Sequence, residues 1–298
     1  MSAQTLPARA GSGTGNFAGV KHRQKIRPMT VVGIVVLAIL AISWLVPVLW
    51  AVLTSFKTEA EAAALPVHII PENGFTLDAY RKILAEGRVP RWAINSLITA
   101  SAVTLITVVI SALAGYAMSR LNFSGRKTLL AIIVASILIP GQILIVPLFQ
   151  LMLTLNIVDT YWGIILPQIV AAPMVFILKS FFDQIPKELE EAALMDGASR
   201  LRILWTIVLP LSRPILGAVS IFVFIGAWNN FLWPFIVTND SNLMTLPVGL
   251  QTVVSAYGIQ YAQGMAQAVL AALPLIIVFL FFQKQIIKGI STAGIAGT

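Results

Sequence analysis

Apolar runs alternate along the chain with short stretches that carry nearly all of its charge. A hydrocarbon core of roughly 30 Å takes about 20 apolar residues to cross as a helix. Six runs have that length, at 30–53, 94–118, 128–152, 162–182, 214–236 and 265–282. The pattern predicts six transmembrane helices. Basic residues precede the first run and "EAEAAA" follows it, as around a cleaved signal, but a signal's apolar region is only about 7 to 15 residues. A retained anchor helix is expected there.

The segments between the runs differ in kind. Residues 1–29 are small and polar without periodicity and predict a disordered tail. The segment 54–92 mixes acids and bases around "PVHIIPENGFTLDAYRKIL", which predicts turns, then a short interfacial helix, with Trp92 at the membrane boundary. Residues 183–213 are longer than a plain connector and patterned as helices.

Composition sharpens this picture. The chain is 58% hydrophobic and 11% charged, with mean hydropathy +0.88. A soluble domain carries about 25% charged residues, so the chain belongs in a bilayer. The net charge of +8 is a question of placement. With the amino terminus inside, 15 of the 20 Lys and Arg fall on the inner side, and Lys57, Arg81, Lys82, Arg88 and Arg91 share one outer loop. The positive-inside rule then puts both termini in the cytoplasm. Topology accounts for the excess, and no nucleic-acid partner is implied. Membrane lipid is the surrounding partner.

Candidate chemistry is sparse. There is no cysteine, hence no disulfide frame and no thiolate site. No H-E-x-x-H, G-x-S-x-G or G-x-x-x-x-G-K-[ST] pattern occurs, so the chain holds no Walker motif of its own. His68 in the outer loop reads as a surface residue, and the other histidine, His22, lies in the tail across the membrane. The six runs contain no Asp, Glu or His, the groups a proton relay needs at depth. Lys179 sits at an inner end, where its stem can snorkel. Pro140 and Pro147 in the third run, Pro167 and Pro173 in the fourth and Pro274 in the sixth can each kink a helix, either as packing irregularities or as shapers of a pathway.

The stretch "IPKELEEAALMDGASRLRILWTIVLP" explains the long inner segment. Pro186 opens a helix, Glu188, Glu190 and Glu191 follow where the helix dipole favours anions, and Gly197 can close it in the left-handed conformation. Leu201, Leu204, Trp205 and Val208 repeat at i, i+3, i+4 and i+7, predicting a second amphipathic helix that ends near Pro210. The segment reads as helix, glycine elbow, helix, with the first helix shaped as a handle for a partner.

Glu191, Ala192, Ala193, Gly197, Ile207, Leu209 and Pro210 fill every specified position of E-A-A-x3-G-x9-I-x-L-P. This is the EAA pattern of the inner-membrane permeases of bacterial ABC importers, and the chain resembles that family. It is more narrowly similar to the smaller, six-span permease of carbohydrate importers of the maltose type, through "WNNFLWPFIVT" at 228–238, "TLPVGLQ" at 245–251 and "QKQIIKGISTAGIAG" at 283–297. The resemblance covers roughly 92–297.

The resemblance implies an all-α membrane protein of type I importer architecture in the bacterial inner membrane. Its sections would be tail 1–29, first helix and outer loop 30–93, five-helix core 94–287 with the EAA loop at 183–213, and carboxyl tail 288–298. It implies a non-catalytic permease, half of a heterodimer with a second permease, served by two copies of an ABC ATPase and a periplasmic or extracellular solute-binding protein. ATP and Mg would be held by the ATPases, with no cofactor in this chain. Glu190, Glu191, Ala192, Ala193, Met195, Asp196 and Gly197 would form the coupling surface. The outer loop 239–263, with Asn239, Asp240, Asn242, Tyr257 and Tyr261, would probe the docked binding protein, and the carboxyl tail would lie against the ATPases. Trp228, Asn229, Asn230 and Trp233 have the chemistry to stack on and hydrogen-bond a sugar in the pathway, although Trp also serves packing and interfaces. In that family the sugar site can lie mainly in the other permease. An alternative class is a secondary transporter coupled to ions through backbone carbonyls, without an ATPase. A membrane-embedded enzyme is a third.

Overall fold

The computed structural model describes residues 28–72, 74–85, 87–252 and 260–295. The described residues form helices and turns, with no strand among them. They fall into two compact units, divided after Val48. Most of the tail expected at 1–29 and the last residues of the expected tail at 288–298 lie outside the described residues.

The first unit is, as described, the greater part of helix α1 (Pro28–Ser55). Its side chains from Met29 onward are apolar on every face and exposed within the protein, as for a helix that lipid covers.

The second unit continues with α2 (Glu59–Ala62), α3 (Asp78–Ala85), α4 (Val89–Arg120), α5 (Arg126–Ser136), α6 (Ile145–Thr154), α7 (Tyr161–Ile165) and α8 (Ala172–Phe182). After these come α9 (Lys187–Met195), α10 (Arg200–Ile203), α11 (Leu209–Leu211), α12 (Arg213–Trp228), α13 (Leu232–Val237), α14 (Leu246–Thr252) and α15 (Tyr261–Ile295). A π-helical stretch, Leu204–Val208, joins α10 to α11. Prolines open α4, α8 and α12, where the missing N–H costs little, while Pro47 and Pro274 lie inside α1 and α15.

Among the described residues, three helices are long and apolar enough to cross a membrane: Met29–Ser55, Val89–Arg120 and Tyr261–Phe281. Three bent pairs raise the number to six when each counts as one span. The third span departs from the straight crossing that its apolar run suggests. Arg126–Ser136 and Gly141–Thr154 meet at 94°. Pro140 sits at the corner with extended backbone (ψ 125°), and a residue preceding proline is itself pushed out of the helical region. The fourth is Tyr161–Gln168 and Ala172–Phe182, bent by 50° ahead of Pro173. The fifth run, expected at 214–236, divides between α12 and α13 around Asn229 and Asn230, and Arg200–Leu211 turns into α12 through 82° at Ser212.

Helix α4 is the axis of this unit, packed against α8 and α12, and α12 packs in turn on α15. Its buried face runs Ser96, Thr99, Val103, Thr107, Ser111, Gly115. Small and hydroxyl-bearing residues at that spacing let helices approach closely in a membrane. A side chain on Gly115 would stand 3.1 Å from the Lys179 nitrogen and 3.3 Å from the Val175 carbonyl oxygen. One apolar cluster gathers at each end of α4. Trp92, Ile83, Trp228, Leu246 and Ala262 belong to the first, and Tyr116, Leu178, Phe182, Ile203, Leu204 and Val208 to the second.

Candidate functional site

Helix α9 is closed by its own backbone. Gly197 adopts φ +78°, its N–H bonds to the Leu194 carbonyl at 3.0 Å, and the Ala198 N–H reaches the Ala193 carbonyl at 2.9 Å. This paired closure is a Schellman motif, which needs a left-handed residue at that position. Ser199 then caps α10, its hydroxyl accepting from the Arg202 N–H at 3.3 Å. Helix, glycine elbow and helix follow in the expected order. The second helix ends at Leu211, near Pro210 as expected, by way of a widened π-helical turn at Leu204–Val208. Of the expected apolar stripe, Leu204 and Val208 are buried while Leu201 and Trp205 face outward.

Across α9 the EAA residues divide into two faces. Glu191, Ala192, Met195, Asp196 and Gly197 are exposed, Met195 at 88%, while Ala193 and Leu194 pack half-buried on the inner cluster. Glu190 turns away from the exposed face with which the sequence groups it. Its Oε1 lies 2.7 Å from Arg120 Nε, both side chains being only 4% exposed. This is a close ion pair, not an aligned hydrogen bond. Glu190 Oε2 also accepts from the Tyr116 hydroxyl at 3.4 Å, one turn back along α4. Arg120 Nη2 donates to the carbonyls of Phe182 and Ile185, each at 2.6 Å, in the turn that follows α8. One guanidinium thus holds the ends of α4 and α8 and the inner face of α9.

Next to it, Asp183 accepts from Ser119 Oγ and from Lys179 Nζ, each at 2.6 Å. Desolvation alone would push the Asp183 carboxyl up. The bonds from Lys179 and Ser119, with the charges of Lys179 and Arg120, outweigh it and hold the carboxyl below the usual range. Lys179 therefore closes an ion pair with Asp183 in place of a lone reach to the interface.

Three of the four residues expected in a sugar pathway, at and after the end of α12, bond within the chain. Trp228 is buried, stacked on Phe224, with its indole N–H toward the Ala271 carbonyl at 3.3 Å. Trp233 is buried with its indole N–H on the Gly163 carbonyl at 3.0 Å, and Asn230 Nδ2 donates to Gln168 Oε1 at 2.7 Å. Asn229 is exposed.

At the opposite end of α4 the loop after α13 is tied down. Trp92, expected at the membrane boundary, is fully buried, and its indole N–H meets the Ser241 carbonyl at 2.8 Å. Asn95 Nδ2 donates to the carbonyls of Asn242 (2.8 Å) and Met244 (2.9 Å), and Ser96 Oγ accepts the Leu246 N–H at 2.8 Å. Asn239, Asp240 and Asn242 are exposed, as is Tyr261 at the start of α15. Tyr257 lies outside the described residues. The sequence reading passed over Asp159. Its carboxylate accepts the N–H groups of Asn239 and of Asp240 (2.9 Å), and its own N–H meets the Val237 carbonyl at 3.0 Å. Desolvation raises this carboxyl, but the two backbone N–H groups prevail and lower it. The available signal is one acid in the short turn 155–160, where the structure holds both Asn156 and Asp159 in the left-handed region.

Among the described residues, an all-α body with up to six segments long and apolar enough to cross a bilayer defines an integral membrane protein. The chain belongs to the family described as binding-protein-dependent transport system inner membrane component, matched over residues 107–292. It is 34% identical over 260 residues to the arabinooligosaccharides transport system permease protein AraQ of Bacillus subtilis strain 168, covering 87% of this chain and 92% of that one. With the trehalose/maltose transport system permease protein MalG of Thermococcus litoralis it shares 36% identity over 276 residues, covering 91% and 97%. Its fold matches a chain in the crystal structure of a bacterial ABC transporter that imports the acidic polysaccharide alginate, with TM-score 0.76, 24% identity and coverage of 88% and 97%.

Proposed function

We propose that this chain is one permease of an ATP-driven, binding-protein-dependent importer of an oligosaccharide or sugar derivative. It forms half of a heterodimeric pathway, with both termini cytoplasmic. The observation that carries the ATPase part is Met195, 88% exposed on a helix held to the body by a buried ion pair. An apolar side chain presented on a rigid, charged helix is a docking feature, since a flexible thioether fills a partner's groove well. ATP and Mg bind in the partner subunits. The relatives named for arabinooligosaccharides and for trehalose and maltose support the carbohydrate class.

Purification of the chain from native membranes in mild detergent, with mass spectrometry of what accompanies it, tests the reading. A second permease and an ABC-type ATPase are expected, and the accompanying binding protein then identifies the sugar. A chain that purifies alone and carries solute into liposomes under an ion gradient would overturn it.

A further inference from the structure

Three features of the unit from Leu49 onward concern how a push on α9 would travel. The covalent route from α9 to α12 passes the Gly197 elbow, the π-helical stretch Leu204–Val208 and an 82° corner at Ser212. Each of these is a place where a helix bends or changes pitch. The lateral route is different. Glu190 meets Arg120 and Tyr116 of α4 inside a core where both charged side chains are 4% exposed, and Arg120 also binds the carbonyls of Phe182 and Ile185. From Arg120, α4 runs unbroken to Val89, roughly 48 Å at 1.5 Å per residue. Its far end holds the loop after α13 through Trp92, Asn95 and Ser96.

We propose that Arg120 and Glu190 are positioning residues that form a transmission joint, through which displacement of α9 enters α4 and is carried to the outer loop at 239–246. A charge pair suits this role. In a buried site the pair resists separation, because either partner left alone would be a charge without water. Tyr116 and the two carbonyls fix its direction, so that α9 cannot swing without moving the end of α4. The inference rests on the ATPase-coupled reading above and adds the path by which the two faces communicate.

The chain has no cysteine, so single labels can be placed before assembly with its partners. An environment-sensitive fluorophore on Lys187→Cys reports α9, and one on Asn242→Cys reports the outer loop, both positions being exposed. Addition of a non-hydrolysable ATP analogue to the assembled wild-type complex should change both signals. In a Glu190→Gln background, which keeps side-chain size, the α9 response should persist while the outer response falls by about tenfold, within the usual range of coupling between sites. An undiminished outer response in the assembled variant overturns the joint. Should Glu190→Gln fail to assemble, Arg120→Lys decides. It keeps the charge but loses the forked contacts, and should retain part of the outer response, whereas a full response overturns the proposal. A wild-type complex whose α9 label ignores the nucleotide analogue would instead remove the ATPase-coupled reading itself.

Discussion

The indole of Trp92 occupies the space that a side chain on residue 249 would need. A Cβ built on Gly249 would stand 2.1 Å from the ring, and Trp92 has no room to yield, being fully buried with its N–H bonded to Ser241. Gly249→Ala should therefore force the α14 segment away from α4, at the cost of about 1–3 kcal/mol typical of overpacking. Thermal unfolding in detergent, followed by size-exclusion chromatography after heating, should show a lowered midpoint. Gly226→Ala, where nothing lies within 4 Å, is the control and should be neutral or slightly stabilising. Equal midpoints for the two variants would mean that the tryptophan does not hold this loop.

Much of this architecture was legible because lipid imposes length. Runs without charge announce the spans, and Glu191, Ala192, Ala193 and Gly197 announce the elbow. What stayed hidden depends on partners remote in sequence. Glu190 and Glu191 are adjacent and chemically alike, yet one faces Arg120 and the other solvent, and adjacent residues on a helix differ by about 100° in direction. Only the position of α4 distinguishes them. Trp92 read as an interfacial anchor because its acceptor, the Ser241 carbonyl, is 149 positions away. The predicted stripe holds at Leu204 and Val208, whereas Leu201 and Trp205 are exposed. The right angle at Pro140 was legible as a kink but not as an angle.

The elbow itself is open to a sharp test. Gly197 adopts φ +78° and donates its N–H to Leu194, whereas proline is fixed near −65° and has no N–H. Gly197→Pro should unravel the exit of α9, at about 1–2 kcal/mol for the lost left-handed residue. No atom lies near the missing Cβ, so the rest of the fold should be undisturbed. ATP-driven uptake of the sugar taken by the co-purifying binding protein should stall, while immunoblots of washed membranes show normal levels. Gly197→Asn should be milder, since asparagine tolerates this conformation. Normal uptake by the proline variant would remove the elbow from the coupling path.

Asp159 gives the outer loop a defined pH response. Its carboxyl is lowered from the ordinary value of 3.8, so the tie to Asn239 and Asp240 is complete above that value and is lost only as pH falls through the lower folded one. Amide hydrogen exchange at Asn239 and Asp240, corrected for intrinsic rates, should show constant protection from pH 8 to about pH 5. Asp159→Ala should reduce that protection by about tenfold across the whole range, a modest figure because the group is solvent-accessible. Protection that decays between pH 7 and pH 5 in the unaltered chain would assign the tie to some other group.

The outward face of α9 can be separated from its inward one by a single substitution. Met195 is 88% exposed at the last turn of the helix, and its backbone geometry is set by the Schellman closure at Gly197 and Ala198, not by its side chain. Met195→Glu therefore removes nothing the folded chain uses, and stability should change by no more than about 0.5 kcal/mol, as at ordinary surface positions. Docking is another matter. A charge placed in an apolar groove loses both packing and solvation, and a central contact of this kind is worth about 2 kcal/mol or more. Quantitative mass spectrometry of the purified complex should show the ATPase depleted more than about tenfold relative to the second permease. Glu190→Gln should do the reverse, retaining the ATPase while disturbing what lies behind the helix. An intact ATPase ratio in Met195→Glu would move the docking surface off α9, and with it the reason for pinning that helix so firmly to Arg120.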